Sequence, residues 1–138
     1  MQVGIKFSTA IHVVLAACFF KDEKVTSEFI AGSINTNPVI VRRLLGALKA
    51  AGLVNVVAGV GGVSLAREPK DITLLQIFNA VNDKEKLFKI HSDSPKACPL
   101  GGKIKGLLTT HFLKAQEALE DSLRSITLQD LLDELINL

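Results

Sequence analysis

Apolar residues fall at Phe7, Ala10, Ile11, Val14, Leu15 and Cys18, a spacing of three and four that gathers them on one stripe of a helix. The stripe predicts a first helix that turns this face to a core. Lys21-Asp22-Glu23-Lys24 interrupts it with a polar turn, after which Thr26 can cap a second helix, with Val25 and Ile30 spaced for a hydrophobic staple. This second helix is short and is expected to stop near Gly32-Ser33. In Asn35-Thr36-Asn37-Pro38, Asn37 suits a cap and Pro38 the first helical turn, so a third helix runs to about Ala51 and Gly52 ends it. Two helices joined by a turn of about four residues form a helix-turn-helix candidate.

Beyond Gly52 the pattern changes. Leu53 to Ala58 and Val63 to Ala66 read as two strands around the turn Gly59-Val60-Gly61-Gly62. A helix-turn-helix followed by a glycine-tipped hairpin is the order of a winged-helix domain. Pro69-Lys70-Asp71 breaks the pattern, and Thr73-Leu74-Leu75-Gln76 is a capping box for a helix through about Val81. Asn82 to Pro99 is charged and irregular, holds His91 and Cys98, and is the one long loop expected. From Gly101 onward, Ile104, Leu107, Leu108, His111, Phe112, Ala115, Ala118, Leu119, Leu123 and Ile126 keep helical spacing over about six turns. A helix of that length in a small protein calls for a neighbour along its apolar face. Thr127-Leu128-Gln129-Asp130 then caps a terminal helix. The expected fold is mainly α with a small β-hairpin. It comprises a winged helix-turn-helix domain over 1–81, a sensor loop over 82–100, and a dimerisation helix with a C-terminal helix over 101–138.

Length and composition fit this plan: 138 residues, 48% of them hydrophobic, can fill the core of one domain. A net charge of +2 excludes a polybasic coat or an acidic tail, so any use of charge must come from its distribution. That distribution is uneven. Phe29 to Arg67 contains no Asp or Glu but carries Arg42, Arg43, Lys49 and Arg67, whereas Gln116 to Leu138 sets six acids against Arg124 alone. The basic residues share their segment with the helix-turn-helix, which points to double-stranded DNA. Thr36 and Asn37 lead the expected recognition helix, where side chains reach base edges, and Arg42, Arg43 and Lys49 follow on later turns. Thr26 and Ser27 open the preceding helix and can take a phosphate, while Gly59, Gly61 and Gly62 let a wing backbone approach a groove. The aromatic residues are all Phe, which gives little support to a stacking platform for single strands.

Other chemistries find little footing. Two cysteines, Cys18 and Cys98, make no disulfide framework and no zinc quartet, which favours a reducing compartment, the cytoplasm. Leu15-Ala16-Ala17-Cys18 has the small-residue pattern that precedes the acylated cysteine of a lipoprotein. Against that alternative, the longest apolar run, Val13 to Phe20, is eight residues, and Phe19 and Phe20 follow where a polar linker belongs. No membrane span, metal site or enzyme is expected. Gly101-Gly102-Lys103 is followed by Ile104 rather than Ser or Thr, and Gly59-x-Gly61-Gly62 lacks the helix of a dinucleotide site.

The sequence resembles the Rrf-two family of bacterial winged-helix regulators, the family of the iron–sulfur cluster regulator, the nitric-oxide-sensing repressor and the cysteine-metabolism repressor. The resemblance is carried by the first helix ending at Ala16-Ala17, by Val41 to Val54, by the wing Gly59 to Arg67, and by Ile126 to Leu132. It implies a DNA-binding transcriptional repressor, a homodimer joined through the long helix at Ile104, Leu108, Phe112, Ala115 and Leu119, on an operator of dyad symmetry. Cluster-binding members carry three cysteines before the long helix, where this chain has Cys98 alone, so no iron–sulfur cluster is expected. Many members also carry an arginine where Ala58 stands, which implies weaker readout by the wing. Cys98, beside Lys96 and near a helix start, is the candidate redox sensor. An alternative on the same fold is a regulator acting mainly through a protein partner.

Overall fold

Short polar side chains set the starts of several helices. In the computed structural model, which describes residues 4–20, 23–57, 62–82 and 87–138, Thr26 accepts from the Phe29 N–H at 3.1 Å and Asn37 from the Val39 N–H at 2.9 Å. Thr73 and Thr127 form reciprocal capping boxes with Gln76 and Asp130. These caps satisfy amides that have no partner inside their own helix. The elements that follow are α1 (Gly4–Phe19), α2 (Ser27–Ile34), α3 (Pro38–Ala50), β1 (Val54–Val56), β2 (Val63–Leu65), a 3-10 turn (Pro69–Asp71), α4 (Leu74–Val81), α5 (Ile104–Arg124) and α6 (Leu128–Ile136).

Two boundaries differ from the sequence pattern. Helix α2 runs through Gly32 and Ser33 to Ile34, because Asn35 takes the left-handed conformation at φ 64° and closes the helix onto the Ala31 carbonyl. Asparagine tolerates that conformation, so it closes the helix just past the expected Gly32-Ser33. The strands are shorter than their apolar runs, three residues each, antiparallel, with Val54 opposite Leu65 and Val56 opposite Val63. Gly59 and Gly61 at the wing tip, with Ala58, lie outside the described residues.

The main core collects one face from nearly every element. Ala10, Val13 and Val14 of α1, Ile30 of α2, Val41, Leu44, Leu45 and Leu48 of α3, Ile77 of α4 and Leu128 of α6 are all buried in it. The last helix therefore returns to the winged-helix core. It is tied to the start of α4 by a bridge between Thr73 and Thr127, and by the Leu74 N–H to Ile126 and Leu128 N–H to Ile72 hydrogen bonds at 2.9 and 2.8 Å. A smaller cluster of Leu75, Phe78 and Leu87 receives Leu119 and Leu123 of α5. Phe112 of α5 packs on Phe88 with ring centroids 5.4 Å apart, yet none of the helix's 21 residues is buried. Cys18 is buried in α1 at 8% exposure, so cleavage before it would remove Ala10, Val13, Val14 and Ala16, on which the core is built.

Gly52 sits just past the C-terminus of α3 with φ at 76°, which a Cβ resists. Gly46 lies inside α3 with nothing within 4 Å of where a Cβ would stand. The two should respond oppositely to alanine in urea unfolding: Gly46→Ala gains up to about 1 kcal/mol from helix propensity, and Gly52→Ala loses about 1–2 kcal/mol.

Candidate nucleic-acid interface

Burying Val41, Leu44, Leu45 and Leu48 fixes how α3 is rotated about its axis, and its other residues follow from the helical period. Arg42, Arg43, Gly46 and Lys49 are exposed. The chain then turns at Gly52 into β1, and β2 is pinned beside the start of α2 by the Val63 N–H bond to the Val25 carbonyl at 2.7 Å. Gly62 permits this approach, since a Cβ there would lie 3.1 Å from the same carbonyl oxygen. The result is a cleft of about 440 Å³ bounded by the N-terminus of α2, the outer side of α3 and the root of the wing.

Thr26, Ser27, Arg42 and Lys49 line this cleft together. Their grouping joins hydroxyls at a helix N-terminus with two cations, groups able to bind a phosphate oxygen. Thr36, half-buried, and Asn37, exposed, lie at the leading end of α3 outside the cleft, and Arg43 projects from the same helix. Because the Asn37 side-chain oxygen is engaged by the Val39 N–H, its NH₂ is the part left for a base edge. Gly62 is at the wing root, half-buried against Val25.

One residue of the cleft was absent from the sequence reading. Glu28, in the first turn of α2, forms an ion pair with Arg42 across the cleft, and the Ser27 hydroxyl donates to its other oxygen at 3.2 Å. Its own backbone N–H, the Arg42 guanidinium and the Ser27 hydroxyl hold the Glu28 carboxyl below the usual carboxylate range. Glu28 stands one position before the acid-free stretch. The only clue in the sequence was that a helix-turn-helix brings the start of its first helix near the first turns of the second.

Cys98 is exposed in the turn leading into α5. The Gly101 N–H donates to its sulfur at 3.3 Å, and with the Leu100 amide it lowers the thiol below its usual range. Cys18 is buried on α1, with its sulfur placed to donate to the Leu15 and Val14 carbonyls at 3.4 and 3.6 Å. Among the described residues, no three His, Cys, Asp or Glu side chains gather to hold a metal. The exposed thiol and the core thiol stand on separate elements.

The fold and this basic face define a winged-helix, DNA-binding class of regulator. The chain matches the Rrf2 family, described as an iron-dependent transcriptional regulator, over residues 3–134. It is 41% identical over 134 residues to YwnA of Bacillus subtilis (strain 168), an inferred HTH-type transcriptional regulator, covering 97% of this chain and 99% of YwnA. A solved structure of an inferred DNA-binding protein is 40% identical, with a TM-score of 0.76, over 92% of this chain and 98% of that one. IscR of T. potens is 26% identical, with a TM-score of 0.71, over 98% and 88% of the two chains. The chain belongs to the Rrf2 family of transcriptional regulators, which is not a family of enzymes. Among the described residues, no helix is long and apolar enough to cross a membrane.

The two thiols should separate in the folded protein. Cys98 is expected to react with an aromatic disulfide reagent at once, and to be alkylated appreciably below the pH at which an unperturbed thiol ionises; Cys18 should react only on unfolding. Stopped-flow labelling with mass mapping checks both, and equal rates for the two sites would contradict it.

Proposed function

We propose that the protein is a homodimeric repressor whose paired α3 helices read an operator of dyad symmetry in the cytoplasm. The observation that carries this reading is the outer side of α3: Arg42, Arg43 and Lys49 lie outside its buried stripe, in a stretch from Phe29 to Arg67 without a carboxylate. Thr36 and Asn37 meet base edges at the leading end of α3, Thr26 and Ser27 hold a phosphate, and the Gly59 to Gly62 wing follows the adjacent groove. Occupying a promoter in this way blocks polymerase.

The dimer reading rests on α5, which is 21 residues long and buries none of them within its own chain. Leu119 is shared with the Leu75, Phe78 and Leu87 cluster and Phe112 packs on Phe88 at 5.4 Å between ring centroids, so Ile104, Leu108 and Ala115, with Leu107 at 57% exposure, form the part left for a second copy. A twofold crossing of two such helices sets a pair of recognition helices on successive major-groove faces. The regulator works without an iron–sulfur cluster, and Cys98 receives the signal through oxidation of its exposed thiol.

Replacing Arg42 and Arg43 together with alanine should weaken operator binding by on the order of 100-fold and flatten its salt dependence. The variant should keep wild-type circular dichroism and a particle mass of twice 14.9 kDa. Unchanged affinity in a fixed-salt titration overturns the reading. Leu108→Asp should yield a particle of half that mass, with operator affinity falling alongside. Purified protein should be colourless and free of iron; stoichiometric iron with a visible absorption band would overturn the cluster-free reading.

A further inference from the structure

A carboxylate on a surface that must meet phosphates repels its ligand, and Glu28 is such a group, lining the cleft with Thr26, Ser27, Arg42 and Lys49. Helix α2 does not need it as a cap, because Thr26 already accepts from the Phe29 N–H. What Glu28 does reach is Arg42, 14 positions later and on the other helix of the motif. Arginine presents five N–H donors in one plane, so a carboxylate that takes one edge sets the orientation of that plane and leaves the remaining donors directed elsewhere. Arg42 stands in the second turn of α3, close enough to its start to reach the major groove. The next turn offers no obstruction, since Gly46 has nothing within 4 Å of its Cβ position.

We infer that Glu28 is a positioning residue for sequence reading: it holds Arg42 in a single orientation, suited to a base edge, and withdraws its charge from indiscriminate attraction to phosphates. The free guanidinium edge is then pre-ordered for two parallel hydrogen bonds to guanine O6 and N7, and the rotamer freedom lost on binding is reduced. Held this way, Arg42 adds less to binding of any duplex and more to binding of the right one. The inference rests on the DNA-binding reading above. A role confined to the dipole of α2 would affect stability and leave discrimination unchanged.

The test uses the full chain and two duplexes of equal length, a protected promoter fragment and its scrambled counterpart, titrated over a range of potassium chloride. Glu28→Gln should bind the scrambled duplex more tightly, with a salt slope steeper by about 1 per protomer. It should gain nothing on the promoter fragment, so that the ratio of the two affinities falls about tenfold or more, the size of one well-made base contact. In an Arg42→Ala background the same substitution should leave that ratio unchanged, because the residue acts through Arg42. Equal tightening on both duplexes, or an equal change of ratio with Arg42 absent, overturns the inference while the DNA-binding reading stands. A wild-type protein that discriminates between no duplexes overturns that reading and this inference with it.

Discussion

The burial of one side of α3 is the constraint on which the rest of the molecule depends. Val41, Leu44, Leu45 and Leu48 enter a core shared with α1, α2, α4 and α6. Each large apolar side chain removed from water contributes about 1.5–3 kcal/mol, enough to forbid any other rotation of the helix. Two consequences follow directly. The cations of α3 have to face outward, and the chain leaving α3 is delivered through Gly52 to Leu53, whose N–H bonds the Leu48 carbonyl at 3.0 Å, so the wing root abuts the same helix. The placement of the site's backbone is thus set by the core, and attraction among its exposed polar groups acts only on how those side chains are oriented.

Charge is divided along the chain in a way its total conceals. The near-neutral balance is a cancellation between the basic helix-turn-helix and the acidic final segment. That acidic segment also has structural work: Asp130 completes the capping box of α6, and Asp121 pairs with Arg124 at the end of α5. Glu28 departs from the division, an acid on the basic face, and its partner is Arg42 in the second turn of α3. The family is described by its dependence on iron, and this member has one thiol in solvent and one in its core. The exposed sulfur is held by backbone amides in the turn that opens α5.

Much of this was legible in the sequence because it is local. Caps at Thr26, Asn37, Thr73 and Thr127 depend on residues within three positions of one another, and the apolar stripes need only the helical period, so element order and the winged-helix plan could be read directly. The end of α2 falls one residue past Gly32-Ser33 because Asn35 takes the left-handed position that closes it. The cations and hydroxyls that line the cleft were legible as single residues. What the linear order hid was their grouping: Thr26, Ser27, Arg42 and Lys49 meet in one cleft, whereas Thr36 and Asn37 stand outside it.

By itself the sequence determined which residues cap, which enter the core and which segment carries the positive charge, since each of these rests on spacing of a few positions. Only the tertiary structure decided that α6 closes the same core as α3 and that Glu28 reaches Arg42. Those are contacts between distant segments. Their existence depends on how whole helices are rotated and packed by the burial of apolar area, a property of the assembled core that no local pattern encodes.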